Sequence, residues 1–588
     1  MTERPNVILI LTDDQGYGDL SCTGNPVLQT PHLDQLYDQS VRLTDYHVDA
    51  MCSPTRAALL TGRYAARTGV WSTLRGRYIM RRDEITIADA FADSGYRTGI
   101  FGKWHLGDNY PYRPFDRGFR ESLSFGGGVV GEIPDYWDND NFTATYLRNG
   151  TPEPHARYCT DVWFNEAMQF MEADETPFFC YISTNAPHGP FNVHEKYSAP
   201  YLQQGIPKQR ARFYGMIANI DENIGRLRQW LSDNDLTENT ILIFMGDNGT
   251  SMGTGITADG YPTDGYNAGM RGKKTWVYDG GHRNACFIHW PAGKLTGGRD
   301  IEPVTAHIDI LPTLIDLCEL NPPDVKFDGT SLTPLLNNAY SNWPARTLFV
   351  HQQQIDHPKK HKDFAAMTDR WRLVHTGTWR APQHELYDHK RDPEQKRDIA
   401  EHHPDIVQTL RKAYENWWTD ISRRFGEYSE IPIGSNRENP TTLTAHSWHG
   451  KEGIYSQRHV RQKERDNGFW AIDIEQDGEY EFELRRWPIE IDLPICAALP
   501  GRTGVPYVDD LLPGEALAIK TAKLQVGNIV QQKAVGESDT CVVFHLSLKK
   551  GSTRVQTYFD DGIDAPLGAY YVYVKKIANI LSDRLDCG

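Results

Sequence analysis

The 588-residue chain contains no apolar run close to the roughly 18 residues that a membrane-spanning helix requires, so the sequence predicts no transmembrane segment. It also has no internal repeat of fixed period and no low-complexity tract, which excludes repeat architectures. Its 39% hydrophobic and 24% charged residues are typical of a globular protein, and a chain of this length is expected to form two or three domains.

Paired cysteines are also missing. The nine cysteines are scattered and form no CxxC motif, so the sequence predicts neither a disulfide framework nor a zinc finger. The first residues show no signal-peptide pattern, which predicts a cytoplasmic protein, or a periplasmic or secreted one if a signal peptide has been removed.

The chain has fewer basic than acidic residues: 62 Lys and Arg against 78 Asp and Glu, which gives a formal net charge of −16. This balance argues against a nucleic-acid partner, whose phosphates would be repelled. It also argues against long-range steering of an anionic substrate. Any such substrate must therefore be held by a local cluster of cations.

Short apolar runs alternate with helical patterns up to about residue 345, which predicts a catalytic α/β domain (1–345) with a sheet flanked by helices. Four strand-like runs end in polar or charged residues: NVILILTDD (6–14), YRTGIFGKWHLG (96–107), PFFCYISTNAPHGP (177–190) and TILIFMGDNGT (240–250). Ligands bind at the carboxyl ends of the strands in open α/β sheets. The four polar ends are therefore expected to form one site.

The pattern changes after residue 345. Residues 346–428 contain short strand-like runs and a closing helix (404–425), which predicts a small α+β subdomain. A loop rich in Pro, Asn and Ser (426–440) is expected to be a linker. Residues 441–588 are mostly strand-like and predict a β-rich, sandwich-like accessory domain, with a hairpin at Asp477-Gly478.

Two of the polar strand ends supply hard oxygen ligands. Asp13 and Asp14 follow the first run, and Asp247 and Asn248 follow the fourth. Carboxylate and amide oxygens suit Ca²⁺ or Mg²⁺ and disfavour zinc, which prefers nitrogen and sulfur. Either pair alone is also typical of a turn after a strand. Two pairs beside basic residues favour a metal site.

Cationic residues accompany these oxygens: Lys103, His105, His188, Lys274 and Arg56. Residues two apart in a strand point the same way, so Lys103 and His105 are expected to share a target. A single His or Lys after a strand is commonly a surface group. Several of them beside a divalent cation predict a pocket for a tetrahedral oxyanion such as sulfate or phosphate.

Cys52 stands at the start of a predicted helix in the stretch MCSPTRAALLTGRY. A zinc role fails because no partner ligands accompany it. The loop of cysteine phosphatases needs Cys-x5-Arg, whereas Arg56 is four residues on. A buried structural role fits Cys180 or Cys318, but it fits Cys52 poorly because this residue heads a polar turn.

At this point the sequence resembles the type I sulfatases of the alkaline-phosphatase superfamily. Their signature Cys-x-Pro-x-Arg with a Leu-Thr-Gly-Arg element stands here as CSPTRAALLTGR (52–63), and ELYD…DPEQKRDIA is similar to their C-terminal subdomain. The resemblance covers residues 5–425. It implies a large mixed β-sheet flanked by helices and a small α+β subdomain, to which this chain adds a β-rich terminal domain. DGGHRNACFIHW (279–290) departs from the family's Glu-Gly-Gly-x-Arg-Val-Pro.

The resemblance implies that Cys52 is oxidised to formylglycine by a maturation enzyme, and that the hydrated aldehyde, a diol, is the nucleophile. It further implies a Ca²⁺ ion, preferred over Mg²⁺, that is bound by the modified Cys52 and by four other residues: Asp13, Asp14, Asp247 and Asn248.

The remaining roles are implied in the same way. Arg56 steadies the diol, and Lys103 and Lys274 neutralise sulfate oxygens. His188 contacts the substrate and donates a proton to the leaving alcohol, and His105 takes the proton of the remaining diol hydroxyl so that sulfate is expelled.

The resulting hypothesis is a sulfuric ester hydrolase acting on a sulfated carbohydrate, with Tyr136 and Trp137 as candidates for stacking on a sugar. A general arylsulfatase and a phosphonate monoester hydrolase or phosphodiesterase of the same superfamily stay open as alternatives. A glycan-binding protein with a vestigial site would have lost catalytic residues, and none is missing. A two-zinc phosphatase would need further Asp and His ligands and a Ser or Thr nucleophile.

Overall fold

The computed structural model describes residues 4–251, 255–376, 383–451 and 453–577. No helix among these residues is long and apolar enough to cross a membrane. The described chain forms a large α/β part, a small α+β part and a β-rich terminal part.

The α/β part contains a ten-stranded sheet and a three-stranded sheet. Its strands are β1 (Asn6–Thr12), β2 (Val41–Leu43), β3 (Tyr46–His47), β4 (Arg97–Lys103), β5 (Glu121–Phe125), β6 (Ala144–Arg148), β7 (Thr151–His155), β8 (Phe178–Ser183), β9 (Thr240–Gly246), β10 (Arg283–Asn284), β11 (Cys286–His289), β12 (Arg299–Ile301) and β13 (Thr305–Ala306). Its helices are α1 (Pro31–Gln39), α2 (Cys52–Thr61), α3 (Ile87–Asp93), α4 (Cys159–Glu172), α5 (Glu195–Gln203), α6 (Lys208–Asp233), α7 (Asp279–His282), α8 (Ile310–Leu317) and α9 (Thr333–Leu336).

The four runs predicted to end in polar residues are the neighbouring central strands of the large sheet. The order is β12-β2-β11-β9-β1-β8-β4-β5-β6-β7, and β9, β1, β8 and β4 are mutually parallel. Since β11 pairs antiparallel with β9, the sheet is mixed. The carboxyl ends of the four parallel strands therefore meet at one edge, as predicted.

Alternation along β1 explains why this strand is apolar throughout. Val7, Leu9 and Leu11 pack into the core that contains α2, α3 and α8, whereas Ile8 and Ile10 pack into the core of α1, α4 and α6. All five side chains are fully buried. Helices on both faces of a parallel sheet give this continuous hydrophobic pattern.

The α+β part is one antiparallel sheet covered by a helix. Its strands lie in the order β14 (Leu348–His351), β15 (Phe364–Met367), β16 (Trp371–Thr376) and β17 (Gln383–Asp388), and the covering helix is α10 (Pro404–Ile421). Residues of α10 such as Leu410 and Tyr414 share a buried cluster with Phe364 and Leu386 of the sheet. This matches the predicted small subdomain with its closing helix.

The β-rich terminal domain is built from two antiparallel-rich sheets that share one hydrophobic core. Its elements are β18 (Ile431–Ile433), β19 (Thr441–Thr444), α11 (Gln457–Arg461), β20 (Phe469–Ile474), β21 (Gly478–Arg485), β22 (Thr521–Val526), β23 (Ile529–Ala534), β24 (Val542–Leu548), β25 (Gly551–Asp560) and β26 (Tyr571–Ile577). One sheet has the order β18-β20-β25-β22-β23 and the other β19-β26-β21-β24.

Two local predictions in this region were wrong. The strands flanking Asp477-Gly478 do not form a hairpin: β20 pairs with β25 and β18, whereas β21 pairs with β24 and β26 in the other sheet. The turn carries the chain from one sheet to the other, and each strand pairs with strands that are distant in the sequence. The predicted linker also contains β18, whose residues are buried against β20. The domain boundaries near residues 345 and 440 stay a prediction.

Candidate active site

The oxygen-bearing residues after β1 and β9 interlock at the carboxyl edge of the sheet. The backbone N–H of Asp14 donates to Asp247 Oδ1 over 3.0 Å, and Asn248 Nδ2 donates to Asp14 Oδ1 over 2.9 Å. Asp14 has a φ of 69°, a left-handed conformation that Asp tolerates better than most residues. Both pairs are buried, so these side chains are held inside the protein rather than at a solvated turn.

Cys52 joins the same cluster from the first position of α2. Its Sγ and carboxylate oxygens of Asp13 and Asp247 lie within 4.8 Å of one another. Among the described residues, Asp13 Oδ1 and Asn248 Oδ1 are buried without a hydrogen-bond partner. Buried oxygens without partners are costly, and hard oxygens at this density fit a divalent cation such as Ca²⁺ or Mg²⁺.

The thiol of Cys52 is poorly suited to react as it stands. Burial raises its pKa, and the neighbouring ammonium groups of Lys103 and Lys274 only partly offset this. A thiol with a raised pKa is protonated at neutral pH, and the thiolate is the nucleophilic form. The position is therefore central to the cluster, and an unmodified thiol there is a weak nucleophile.

Arg56 lies one turn after Cys52 on the same side of α2. It is fully buried, and its guanidinium donates to Asp247 Oδ2 over 2.8 Å and to Ser183 Oγ over 2.5 Å. Burial alone would lower its pKa, but the Asp247 carboxylate raises it, so Arg56 is a fixed cation. Ser183, the last residue of β8, was not predicted as part of the site.

Each of the two predicted lysines pairs with one of the two aspartates after β1. Lys103 Nζ, at the end of β4, lies 2.8 Å from Asp13 Oδ2, and Lys274 Nζ lies 2.5 Å from Asp14 Oδ1. Burial acts against the pKa of each lysine, but the facing aspartate raises it. Burial likewise acts against ionised Asp14, while His188 and Lys274 bring its pKa below the usual range.

Charge balance in this cluster differs from that of the whole chain. Three carboxylates (Asp13, Asp14, Asp247) face three cations, Arg56, Lys103 and Lys274. A bound divalent cation would make the cluster net positive by two charges, although the chain carries −16. This is the local cationic cluster that an anionic substrate requires.

His188 lies in the loop after β8 at the open side of the cluster. Its Nδ1 lies 2.7 Å from the carbonyl oxygen of Gly189, so Nδ1 carries the hydrogen, and Nε2 lies 3.4 Å from Asp14 Oδ2. Its side chain is 23% exposed, whereas those of Asp13 and Arg56 are fully buried. Burial lowers the pKa of His188 to about 4, against the opposing effect of Asp14.

His105 does not lie in a strand, so the argument from strand alternation was wrong for this residue. β4 ends at Lys103, and His105 has a φ of 59°. Its Nε2 lies 3.1 Å from the carbonyl oxygen of Thr73, and its ring packs against Gly128, where a Cβ atom would lie 2.1 Å from it. Burial, followed by the charge of Lys103, holds the pKa of His105 well below its usual range.

The segment that departs from the family signature holds Asn248 and Gly249 through one backbone and one side-chain hydrogen bond. The N–H of Gly249 donates to the carbonyl of Gly281 over 2.9 Å, and Asn284 Nδ2 donates to the carbonyl of Asn248 over 2.8 Å. A Cβ at Gly281 would lie 2.0 Å from the carbonyl oxygen of Trp276, so this close approach requires glycine. The two glycines of the family signature are therefore present as Gly280 and Gly281, although residues on both sides of them differ from the signature.

The two aromatic candidates for sugar stacking differ in exposure. Tyr136 is 38% exposed and lines a surface cavity of about 270 Å³. Trp137 is 4% exposed and packs edge-on against Trp487 of the β-rich domain, at 5.5 Å between ring centroids, so it is not available to a sugar. The terminal domain covers this residue, which the local sequence could not reveal.

Comparison with known families finds two matches. The family described as "Sulfatase" matches residues 5–320, and the one described as "N-sulphoglucosamine sulphohydrolase, C-terminal" matches residues 271–419. The first match spans the four polar strand ends and Cys52. The second spans Lys274 and the α+β part.

Individual relatives agree with these matches. N-acetylgalactosamine-6-sulfatase of Canis lupus familiaris is 31% identical over 365 residues, which is 57% of this chain and 66% of that protein. Arylsulfatase A of Homo sapiens is 29% identical over 464 residues, which is 69% of this chain and 86% of that protein. The chain thus spans just under two thirds of the first relative.

A solved structure extends the likeness to the fold. The structure described as "Ps i-CgsB in complex with k-i-k-neocarrahexaose" is 25% identical and superposes with a TM-score of 0.64, covering 73% of this chain and 95% of that one. The large mixed sheet, with helices on both faces, is therefore an alkaline-phosphatase-like fold.

Proposed function

We propose that this chain, which belongs to the sulfatase family, hydrolyses sulfate monoesters at the cluster around Cys52. The observation that carries the proposal is the position of Cys52 at the N-terminus of α2, within 4.8 Å of Asp13 and Asp247 oxygens. Three cations accompany it, of which Arg56 and Lys103 are fully buried and Lys274 is 16% exposed. A group that reacts there meets positive charge on several sides, as transfer of an anionic sulfuryl group requires.

The cation proposed for this cluster is Ca²⁺, held by Asp13, Asp14, Asp247, Asn248 and residue 52. The four side chains other than residue 52 each offer an oxygen atom as a metal ligand. Two of these oxygens, Asp13 Oδ1 and Asn248 Oδ1, have no hydrogen-bond partner among the described residues. When bound, the ion would polarise a sulfate oxygen and lower the pKa of a hydroxyl attached at residue 52.

Cys52 is proposed to act after conversion to formylglycine by a separate maturation enzyme. The raised pKa of the unmodified thiol supports this, because a protonated thiol is a weak nucleophile. Hydration of the aldehyde supplies two hydroxyl groups on one carbon, one to attack sulfur and one to allow sulfate to leave.

The positions of the other site residues suggest a separate role for each. Arg56, fixed between Asp247 and Ser183, steadies the oxygen of residue 52, while Lys103 and Lys274 turn from their aspartates toward sulfate oxygens. His188 is the more open histidine, and its Nδ1 already carries a hydrogen. Its imidazolium form, which the negative charge of a bound sulfate favours, gives the Nε2 proton to the leaving alcohol. His105 is fully enclosed and accepts a proton while sulfate is released.

The proposed substrate is a sulfated carbohydrate. The relatives point this way, because one is named for N-acetylgalactosamine 6-sulfate and the solved structure holds a neocarrahexaose. Tyr136 supplies an exposed ring that can stack on a sugar face.

A panel of defined sulfated saccharides, with released sulfate measured, tests the function. The wild-type protein, produced together with a maturation enzyme, is expected to release sulfate from at least one member, and Cys52→Ala is expected to release none. A phosphate diester and a phosphonate monoester of one alcohol form the comparison arm. Faster cleavage of these than of the sulfate ester of that alcohol would replace the proposal by the phosphonate hydrolase alternative.

A further inference from the structure

A second buried cluster shares His105 with the proposed active site and joins the α/β part to the β-rich terminal domain. It consists of His105, Glu132 and His446, whose ring nitrogens and carboxylate oxygen lie within 4.8 Å of one another. The side chain of His446 is fully buried and that of Glu132 is 7% exposed. Glu132 lies between β5 and β6, whereas His446 lies just after β19 in the β-rich terminal domain.

The hydrogen bond of His105 fixes which of its nitrogens can take a proton. Nε2 faces the carbonyl of Thr73 at 3.1 Å, and a carbonyl only accepts, so Nε2 carries the hydrogen. Nδ1 therefore has the free lone pair, and it is buried without a hydrogen-bond partner among the described residues. A proton taken by His105 must arrive at Nδ1.

Protonation of His105 places a new positive charge in an unfavourable position. The ring is buried, and Lys103 and Arg56 already supply positive charge nearby. A buried charge is tolerated when an opposite charge lies close to it. Glu132 offers such a charge, because its carboxylate oxygen belongs to the cluster within 4.8 Å. A second, partly buried carboxylate, Asp108, accepts a hydrogen bond from Tyr78 over 2.9 Å.

Glu132 is held as a carboxylate from several sides. The N–H of Gly128 donates to Glu132 Oε2 over 2.6 Å, and His446 Nε2 lies 3.3 Å from the same oxygen. The His446 ring also packs edge-on against Tyr78, at 4.5 Å between ring centroids, and Tyr78 in turn lies 5.7 Å from the His105 ring. The three rings and the carboxylate form one packed unit.

The terminal domain also fixes the backbone that carries Glu132. Gln457 Nε2 donates to the carbonyl of Glu132 over 3.0 Å, and the N–H of Ile133 donates to the carbonyl of Tyr455 over 2.7 Å. Both the carboxylate and its loop therefore depend on contacts from residues 445–457.

We infer that Glu132 is the counter-ion for protonated His105, and that His446 is a positioning residue which the β-rich terminal domain supplies to the active site. The inference rests on the proposed function, in which His105 accepts a proton. In that step an O–H bond breaks and an N–H bond forms at Nδ1, and Glu132 stabilises the resulting imidazolium without taking the proton. The terminal domain is thereby part of the catalytic unit.

The test compares His446→Ala, His446→Gln and Glu132→Gln with the matched control Ser447→Ala. Ser447 is the next residue and bonds Tyr78 over 2.8 Å, so its change perturbs the same domain contact without touching Glu132. His446→Ala and Glu132→Gln are expected to lower kcat by about 10–100-fold at unchanged KM, as for other groups that orient a reacting residue. The loss should be equal for a nitrophenyl sulfate and a sugar sulfate.

Two further readouts separate positioning from a general loss of structure. His446→Gln keeps an N–H that can donate to Glu132, and it is expected to restore part of the lost kcat. In ¹⁵N-histidine-labelled protein, the His105 ring signal, assigned by its loss in His105→Ala, should titrate at lower pH in Glu132→Gln and be unchanged in Ser447→Ala.

Failure of this inference is distinguishable from failure of the proposed function. A wild-type protein without sulfate release, or an unaffected His105→Ala, would remove the proposed function. If His105→Ala is impaired while His446→Ala and Glu132→Gln stay within twofold of wild type, only the positioning role is overturned. One equivalent of zinc lost in His446→Ala would overturn it as well, because the cluster would then be a metal site.

Discussion

Lys103 Nζ lies 2.8 Å from Asp13 Oδ2, and both side chains are fully buried. The pair joins the ends of β4 and β1, which are separated by β8 in the sheet. A lysine in this position can release its aspartate and turn to an incoming sulfate oxygen, because the aspartate also lies beside the proposed cation. The predictions below follow from this arrangement of opposite charges around residue 52.

Replacement of Cys52 by Ser should abolish repeated turnover. A serine hydroxyl can attack once, but it lacks the second hydroxyl on the same carbon that allows sulfate to leave. Steady-state assays should therefore show no turnover, and at most one sulfate per protein should be retained. Cys22→Ser, at a partly exposed cysteine away from the cluster, should keep wild-type turnover. Full turnover by Cys52→Ser would rule out the two-hydroxyl mechanism.

Removal of the cation should lower both activity and stability. Three carboxylates crowd together in the cluster, and a bound ion that stabilises only the folded state adds about 2.7 kcal/mol at 100 times its dissociation constant. Chelation is expected to lower the melting temperature and abolish sulfate release, and Ca²⁺ should restore both.

Asp247→Asn should weaken calcium binding because it removes one of the charges that hold the ion. Elemental analysis of the dialysed protein is expected to give one Ca²⁺ per wild-type chain and less in the variant. Asp235→Asn, at an exposed turn, is the control with an unchanged calcium content. Zinc found at this position would contradict the assignment.

The two histidines should differ in their dependence on the leaving group. His188→Ala is expected to lose most activity with a sugar sulfate, whose alcohol leaves poorly, and less with a nitrophenyl sulfate. His105→Ala should lose similar activity with both substrates, because sulfate release no longer involves the alcohol. Each loss should be about 10²–10⁴-fold. Equal leaving-group sensitivity of the two variants would mean that their roles are wrongly divided.

A buried ion pair should hold the α+β part to the α/β part. Arg372 of β16 donates from one guanidinium nitrogen to both carboxylate oxygens of Asp45, at 2.6 and 2.8 Å, and is fully buried. Arg372→Leu would leave Asp45 and Asp279 without this partner, and it should lower the free energy of unfolding by about 3–5 kcal/mol. Denaturant titration measures this. Arg370→Ala, at a neighbouring pair whose arginine is 49% exposed, should have a much smaller effect.

The central sheet and the residues at its edge could be predicted because short sequences encode them. Each of β1, β4, β8 and β9 is an apolar run followed at once by polar residues, and parallel pairing brings their ends together. The helix at Cys52 is also local, because its N-terminus and its αL glycine at Gly62 are adjacent to it in the chain.

The contacts between the α/β part and the β-rich terminal domain could not be predicted in this way. His446 and Glu132 are more than 300 positions apart, and the TAHSWHG sequence around His446 has no pattern that marks a site. Their meeting depends on how the terminal domain packs on the loop after β5. The same reason explains the error at Asp477-Gly478, where pairing with distant strands prevailed over the local turn signal.

The central claim is that residue 52 is no longer a cysteine in the working protein. Trypsin should release residues 43–56 as one peptide, LTDYHVDAMCSPTR, from protein that releases sulfate. The mass of this peptide is expected to be about 18 Da below that of the cysteine sequence, because an aldehyde replaces the thiol, or to match the hydrated form with one water added back. A peptide carrying only unmodified cysteine, from protein with full sulfate-releasing activity, would contradict the account.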